Sequence, residues 1–580
     1  MFCGSVHAVP AQKGIRRTLT LADGTTVVAE LKGDEWMHYW QAADGQAYVL
    51  DGNKKNVFVK ADLQSMARSA EARRNAVAEQ RSAQFEKTKK MFRASKAGRE
   101  TTKRKGLILL VSFSDKQFNA LNTRDFYIRM ANQEGFGERG AHGSIRDYFL
   151  SQSNNAFDIT FDVVGPLQMA NGFAYYGGST QANPAGNAYK MVVEACKAAD
   201  KDVNFADYDW DGDGKVDNVV VVFAGPGYAT GGGEGTIWPH EGGLSAFGES
   251  LSLDGASIDT YACSNEIVYP QKADGSYDKT VENPAGIGIL CHEFSHCLGM
   301  PDMYDTGGQR YYGMNVWSVM DQGCYAGGTY IPVNYTAFER IFCGWQTPIV
   351  LSEAATVKGL GCSADYATPL IIKNDIKDNE FYVLENRQPR GWDAGLAGYG
   401  RGGLVVTHVD YSQSFWRSNK VNNVETLGNN HRRCTIFHAD NSEGTAFGND
   451  TTEIAGDAYP YIVDGAVANN SLTDDSEPAA QIYNKNYDAD IPDRMGKPVT
   501  NIALADDGTV SFDFMGGSSD NIITAIAHTP VSDSSIVRVY DAFGRMVLSA
   551  PSSIYTDASL PSGGVYIVKK GAQTRKVVRN

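Results

Sequence analysis

Over about residues 10–60 apolar and polar positions alternate, with turns at Ala22-Asp-Gly24 and Ala43-Asp-Gly45, which predicts a small β-rich module. Residues 61–90 are polar and helix-prone. They run into a basic stretch (Lys87, Lys89, Lys90, Arg93, Lys96, Arg99, Lys103, Arg104, Lys105) that reads as a solvated linker open to trypsin-like proteases. The apolar run Gly106–Phe113 predicts a buried strand. Helix-like patterns follow at Thr123–Asn132 and Ser144–Gln152, then a strand near Ile159–Val164, a helix over Ala185–Ala199 and a strand over Asn218–Phe223. After Trp345 the pattern turns strongly β, at Glu380–Gln388, Gly403–Asp410 and Cys434–Asp440. A Gly-Gly-Ser-Ser linker at 516–519 leads to a last segment with turns at Phe543-Gly544 and Ser562-Gly-Gly564, which predicts a small antiparallel β-sandwich.

Composition narrows the class. The 580 residues suffice for several domains, and 42% hydrophobic with 21% charged residues is the balance of a globular protein. A net charge of −15 argues against nucleic acid as partner. No apolar run approaches the ~18 residues of a membrane span. The nine cysteines include no Cys-x-x-Cys pair, so neither a zinc ribbon nor a redox motif is supported. Cys291 and Cys297 read as small buried residues.

The chemistry centres on Cys291-His-Glu-Phe-Ser-His-Cys-Leu-Gly-Met-Pro-Asp302, which spells His-Glu-x-x-His-x-x-Gly-x-x-Asp. His292 and His296, four apart on a helix, leave the same face and can close on one Zn²⁺. Glu293 then lies beside the metal as a general base. Gly299 allows the helix to end in a left-handed residue, so that the chain turns back and brings Asp302 to the metal, with Asp305 the alternative third ligand. A bare His-Glu-x-x-His arises by chance in roughly one such chain per hundred, so the apolar lead-in, Gly299 and Asp302 carry the weight. A second cluster, Asp207–Asp217, sets Asp209, Asp211, Asp213, Lys215 and Asp217 at positions 1, 3, 5, 7 and 9 of a calcium loop, with Gly214 at 6. Val220 stands at position 12 where a bidentate Glu is usual, so this is a partial loop for a structural Ca²⁺. Gly225–Gly235 is read as a mobile loop at the cleft margin, His240 as a surface residue, and His408 and His438 as structural.

With Asn315-Val-Trp-Ser-Val-Met-Asp321 following, the chain resembles the immune-inhibitor-A-type (M6 family) secreted zinc metalloendopeptidases. The match runs through His292 to Asp305, Trp317-Ser-Val-Met320 and Phe342-Cys-Gly-Trp345. The resemblance implies an α+β fold with a metzincin-like catalytic domain, zinc on His292, His296 and Asp302, Glu293 as base, and Met320 as the Met-turn floor. Gly33-Asp-Glu-Trp-Met-His-Tyr-Trp40 resembles the start of M6 precursors. The implied layout is a signal-peptide remnant at 1–8, a propeptide with a cleavable linker at 9–105, and the catalytic domain at 106–348. A β-rich accessory domain at 349–515 follows. Residues 520–580 resemble the sorting domain of type IX secretion cargo, on Leu560-Pro-Ser-Gly-Gly-Val-Tyr566 and the basic end. The expectation is a monomeric zymogen, exported through the periplasm of a Gram-negative bacterium to its surface or medium. Its partners would be protein substrates, the type IX machinery and an activating trypsin-like protease. A rival reading is a cell-surface adhesion or binding protein whose zinc is structural, and Glu293 argues against it. For latency, Asp34, Glu35 or His38 could occupy the metal, while Trp36 and Trp40 fill either the cleft or the module's own core.

Overall fold

The computed structural model describes residues 6–52, 54, 56–72, 102–178, 186–270, 272, 276–424, 429–443, 451–524, 536–541, 546–551, 560, 563–570 and 573–579. Most of the basic stretch, from Lys87 to Arg99, lies outside them. So do residues 1–5 of the expected signal remnant. Strand β1 (Val6–Ala8) precedes a five-stranded antiparallel meander of β2 (Arg16–Thr20), β3 (Thr26–Gly33), β4 (His38–Ala42), β5 (Ala47–Leu50) and β6 (Phe58–Lys60). The two Asp-Gly turns form as read. Asp23 Oδ1 takes the Thr25 N–H and Asp44 Oδ1 that of Gln46, and Gly24 and Gly45 adopt φ of +86° and +83°. Leu19, Leu31, Trp40 and Phe58 bury one face of this meander in the same apolar cluster as the helix that carries His292. Trp36, Met37 and Tyr39 form a smaller cluster of their own. Trp36 therefore packs within the module, whereas Trp40 packs in the cluster shared with that helix.

The region around the His292 helix is built on a seven-stranded sheet. Its strands are β7 (Thr102–Ser112), β8 (Phe157–Gln168), β10 (Val219–Pro226), β11 (His240–Gly243), β14 (Thr260–Val268), β15 (Asn283–Pro284) and β1. The short β9 (Lys215–Val216), β12 (Leu251–Leu253) and β13 (Ala256–Ile258) make a separate three-stranded sheet beside it. The order β1-β11-β14-β10-β7-β8 has a parallel centre, while β11 and β1 run antiparallel at one edge. Alternation along β7 and β10 decides what covers each face. Ile108, Leu110, Val220 and Val222 meet the Arg124–Asn132, Ile145–Gln152 and Gly288–Cys297 helices. Leu107, Leu109, Val219 and Val221 meet the Ala188–Ala199 helix. Both faces being covered explains why these strands read as unbroken apolar runs. Two of the helices start where a cap was available: Thr123 accepts the Phe126 N–H, and Ser144 with Asp147 closes a capping box.

β7 begins at Thr102, four residues before the expected strand. Lys103, Arg104 and Lys105 pair with Asp158, Ile159 and Thr160 of β8, and Lys105 Nζ lies 2.7 Å from the Asp162 carboxylate. These three basic residues are thus part of the sheet and not of the linker. A partner strand supplied what local pattern lacked.

Beyond Trp345 two sheets pack over a shared apolar cluster that includes Val357, Ile372, Tyr382, Val406, Phe512 and Phe514. One sheet holds Ile349–Val350, Leu370–Lys373, Glu380–Arg387, Gly403–Asp410 and Cys434–Ile436. The other holds Ala355–Leu360, Val499–Leu504, Val510–Phe514 and Ile522–Thr524. The last of these pairs parallel with Ala355–Leu360, so the accessory sheet continues past the 516–519 linker. The C-terminal segment shows, among the described residues, one four-stranded antiparallel sheet with Val539, Leu560, Tyr566, Val568 and Val577 buried. Among the described residues no helix is long and apolar enough to cross a membrane.

Candidate metal centre

The Gly288–Cys297 helix is buried along its whole length. Its first turn lies against the segment after the Met-turn, where a Cβ on Gly288 would come 2.0 Å from the Cys324 carbonyl oxygen. Only glycine permits that approach. The helix stops as its sequence predicts, with Gly299 at φ +90°. The reversal carries Asp302 back over the two histidines. Asp302 Oδ1 lies 3.2 Å from Nε2 of both His292 and His296, and the two Nε2 atoms are 3.1 Å apart.

Backbone carbonyls set the orientation of both rings. His292 Nδ1 donates to Val319 O and His296 Nδ1 to Met300 O, each at 2.7 Å. With Nδ1 as donor, each Nε2 presents its lone pair to the centre. The Val319 carbonyl belongs to the Met-turn, and the turn is held by Ser318 Oγ, which accepts the Met320 N–H at 2.9 Å. Met320 is fully buried.

Two nitrogen lone pairs and a carboxylate oxygen converging within 3.2 Å are the donor set of a zinc site, and they repel one another without a cation. Glu293 stands beside them, fully buried, and its Oε2 has no hydrogen-bond partner among the described residues. Burial pushes the Glu293 carboxyl well above its ordinary value, partly offset by the Val9 N–H that it accepts. The residues present therefore fit a zinc ion with a base at its side. His292, Glu293 and His296 form the catalytic triad of residues found in zinc peptidases.

Asp305, the alternative third ligand, is equally buried but faces its own turn. It accepts the N–H groups of Gly307 and Arg310 at 2.9 and 3.0 Å and the Arg310 Nε at 3.3 Å. His240, expected at the surface, is 1% exposed. It sits on β11, between β1 and β14, with its ring bonded to the Trp238 carbonyl and Tyr261 hydroxyl at 2.7 and 2.9 Å. The Gly225–Gly235 loop is packed for much of its length, with Tyr228, Ala229 and Thr230 buried. His408 and His438 are structural, bonded to Glu380 and Asp457. Cys291 and Cys297 are buried, as their setting predicts. The acidic loop brings carboxylates of Asp209, Asp211 and Asp217 within 4.8 Å of one another, while Asp213 accepts the Lys215 N–H.

Asp34 and His38 are engaged within and around their own turn. Asp34 caps it through the Trp36 and Met37 N–H groups, and the His38 ring packs against Tyr228 and Trp238. The backbone N–H of Val9 is what arrives at the base, 2.7 Å from Glu293 Oε1. Sequence reasoning also missed Asn419, whose side chain holds Asp302. No motif marks either residue, because both act through position in space.

Residues 91–345 match the model of the family described as Immune inhibitor A peptidase M6, catalytic domain. The chain is similar to the Pre-pro-metalloprotease PrtV of Vibrio cholerae, at 29% identity over 259 residues that make up 40% of this chain and 25% of that one. It is also similar to Immune inhibitor A of Bacillus thuringiensis subsp. alesti, at 25% identity over 325 residues, 48% of this chain and 45% of that one. The match thus spans from a quarter to under half of the length of these curated relatives. The catalytic region is homologous to the zinc peptidases of that family.

Proposed function

We propose that the protein is a secreted zinc endopeptidase made as a zymogen, hydrolysing internal bonds of extracellular proteins. The observation that carries this is the convergence of His292, His296 and Asp302 beside the buried, part-unsatisfied Glu293. A zinc ion held by these three residues would polarise the scissile carbonyl and acidify a bound water. Glu293 would take the proton of the attacking water through Oε2 and pass it to the leaving amine. Met320 closes the apolar floor and moves no proton.

Latency is supported by the Val9 N–H on Glu293 and by the pairing of β1 with β11. Cleavage among Lys87–Arg99 would free the N-terminal module. Limited trypsin treatment of the full chain, followed by an assay on an unfolded protein, tests this. Activity should rise on a mapped cut in that stretch, vanish with chelator and return with zinc. Equal activity before and after the cut removes latency, and chelator-insensitive hydrolysis removes the zinc mechanism.

The finer assignments belong to the same proposal. The Asp209, Asp211 and Asp217 carboxylates, with Asp213 and the Lys215 carbonyl, would hold a structural Ca²⁺, and added calcium should raise the melting temperature. Residues 520–580 would sort the protein through the type IX machinery from the periplasm to the surface or medium. The reading is supported by their separate antiparallel sheet and by Leu560-Pro-Ser-Gly-Gly-Val-Tyr566. Deleting 525–580 spares the Ile522–Thr524 rung and should trap an active enzyme in the periplasm.

A further inference from the structure

The protein's own residues 6–13 pass the candidate metal centre, with Val9 beside Glu293. β1, at the edge of the sheet, runs antiparallel to β11, with Val6 opposite Gly242, His7 opposite Glu241 and Ala8 opposite His240. The next residue donates its N–H to Glu293. Beyond it the main chain is bonded at nearly every step. Trp238 Nε1 donates to Val9 O at 2.9 Å, Tyr325 Oη to Pro10 O at 2.7 Å and Gln322 Nε2 to Ala11 O at 3.0 Å. Gln12 donates its N–H to Ala229 O at 3.0 Å, and Lys13 its N–H to Gln322 Oε1 at 3.1 Å. All of these contacts go to backbone atoms of the segment, so they would serve an extended chain of any sequence. Val9 and Ala11 are 0% and 1% exposed within the apolar cluster that also contains Leu290, Trp238 and Tyr325, and Val9, beside Glu293, carries the larger side chain, so side-chain selection falls chiefly there.

Resting on the endopeptidase reading, we propose that substrates bind in this direction and register, with a branched aliphatic residue in the place of Val9 directly after the cleaved bond. The acid–base carboxylate must deliver its proton to the leaving nitrogen, and the segment nitrogen that Glu293 touches is that of Val9. Hydrolysis adds the water's OH to the carbonyl carbon of the preceding residue and its remaining hydrogen to that nitrogen. Residues before the cut then pair with β11. Residues after it are held by Trp238, Tyr325 and Gln322, which bind substrate main chain. A medium-sized side chain fills the Val9 position, glycine leaves it empty, and aspartate buries a charge there.

The test uses the full chain nicked in its linker, with trypsin then inhibited, and the peptide Val-His-Ala-Val-Pro-Ala-Gln-Lys. Cleavage is expected between Ala and Val, with kcat/KM lower by roughly 10- to 200-fold when glycine or aspartate replaces that valine. Trp238→Phe keeps the ring and loses the N–H, so KM should rise roughly two- to tenfold with kcat little changed. Cleavage at another bond, or equal rates for valine, glycine and aspartate, overturns the proposal. A nicked chain that cuts neither these peptides nor an unfolded protein sinks the endopeptidase reading, and this proposal with it.

Discussion

Asn419 and Asp302 are bonded in both directions. Asn419 Oδ1 accepts the Asp302 N–H at 2.7 Å, and its Nδ2 donates to Asp302 Oδ2 at 2.5 Å. Asn419 sits at φ +55°, a region asparagine tolerates better than most residues, and Thr306 Oγ1 fastens its carbonyl at 2.8 Å. With Oδ2 so held, Oδ1 faces the histidines. Asn419→Ala should weaken zinc binding roughly 10- to 100-fold, as loss of a residue orienting a metal ligand does. Competition with a chromophoric chelator measures it, and unchanged affinity in a folded variant would refute the role.

Asp302→Ala should abolish tight zinc binding, whereas Asp305→Ala should keep the metal and loosen the 305–310 turn whose N–H groups it accepts. Metal titration paired with thermal melting separates the two. The opposite ranking would move the third ligand to Asp305.

Glu293→Gln removes the base and none of the three metal-facing atoms. Zinc content should stay at wild-type level while kcat on an unfolded protein falls by roughly 10²- to 10⁴-fold in the nicked chain. Near-normal turnover with zinc bound would end the proposed role.

Asp457 ties the accessory region to the Met-turn. Its buried carboxylate accepts Trp317 Nε1 at 2.6 Å, Tyr312 Oη at 2.5 Å and His438 Nδ1 at 2.5 Å. Asp457→Ala strands these donors and should cost roughly 3–5 kcal/mol, read from the urea midpoint. A loss below about 1 kcal/mol would mean that water replaces the carboxylate.

His240 carries a pH prediction. Burial lowers its pKa from 6.5 to about 4, against the bond to the Trp238 carbonyl that raises it. As pH falls from 6.5 the unfolded chain takes up this proton first, so the folded state loses stability until pH reaches about 4. The loss is of the order of 3 kcal/mol. Urea unfolding at several pH values should show a shallower decline for His240→Gln, and parallel slopes would contradict the assignment. His38 is shifted the same way by burial and remains in the variant, so part of the decline should persist.

Local sequence determined much of this protein. The four-residue spacing of His292 and His296 on a helix, the left-handed Gly299, the caps at Thr123 and Ser144, and the Asp-Gly turns act over a few residues, and each formed as its residues dictate. The return of Asp302 to the two histidines was legible for the same reason, since it follows the helix end directly. Tertiary structure decided what depends on distant partners. β7 starts at Thr102 because β8 lies beside it. His240 is buried because its strand joins the sheet that holds Tyr261. Asn419 meets Asp302 across 117 residues of chain, and Val9 reaches Glu293 across 284. Such contacts leave no periodicity and no motif in the sequence, because they are selected by the packing of whole elements, which local propensity does not encode.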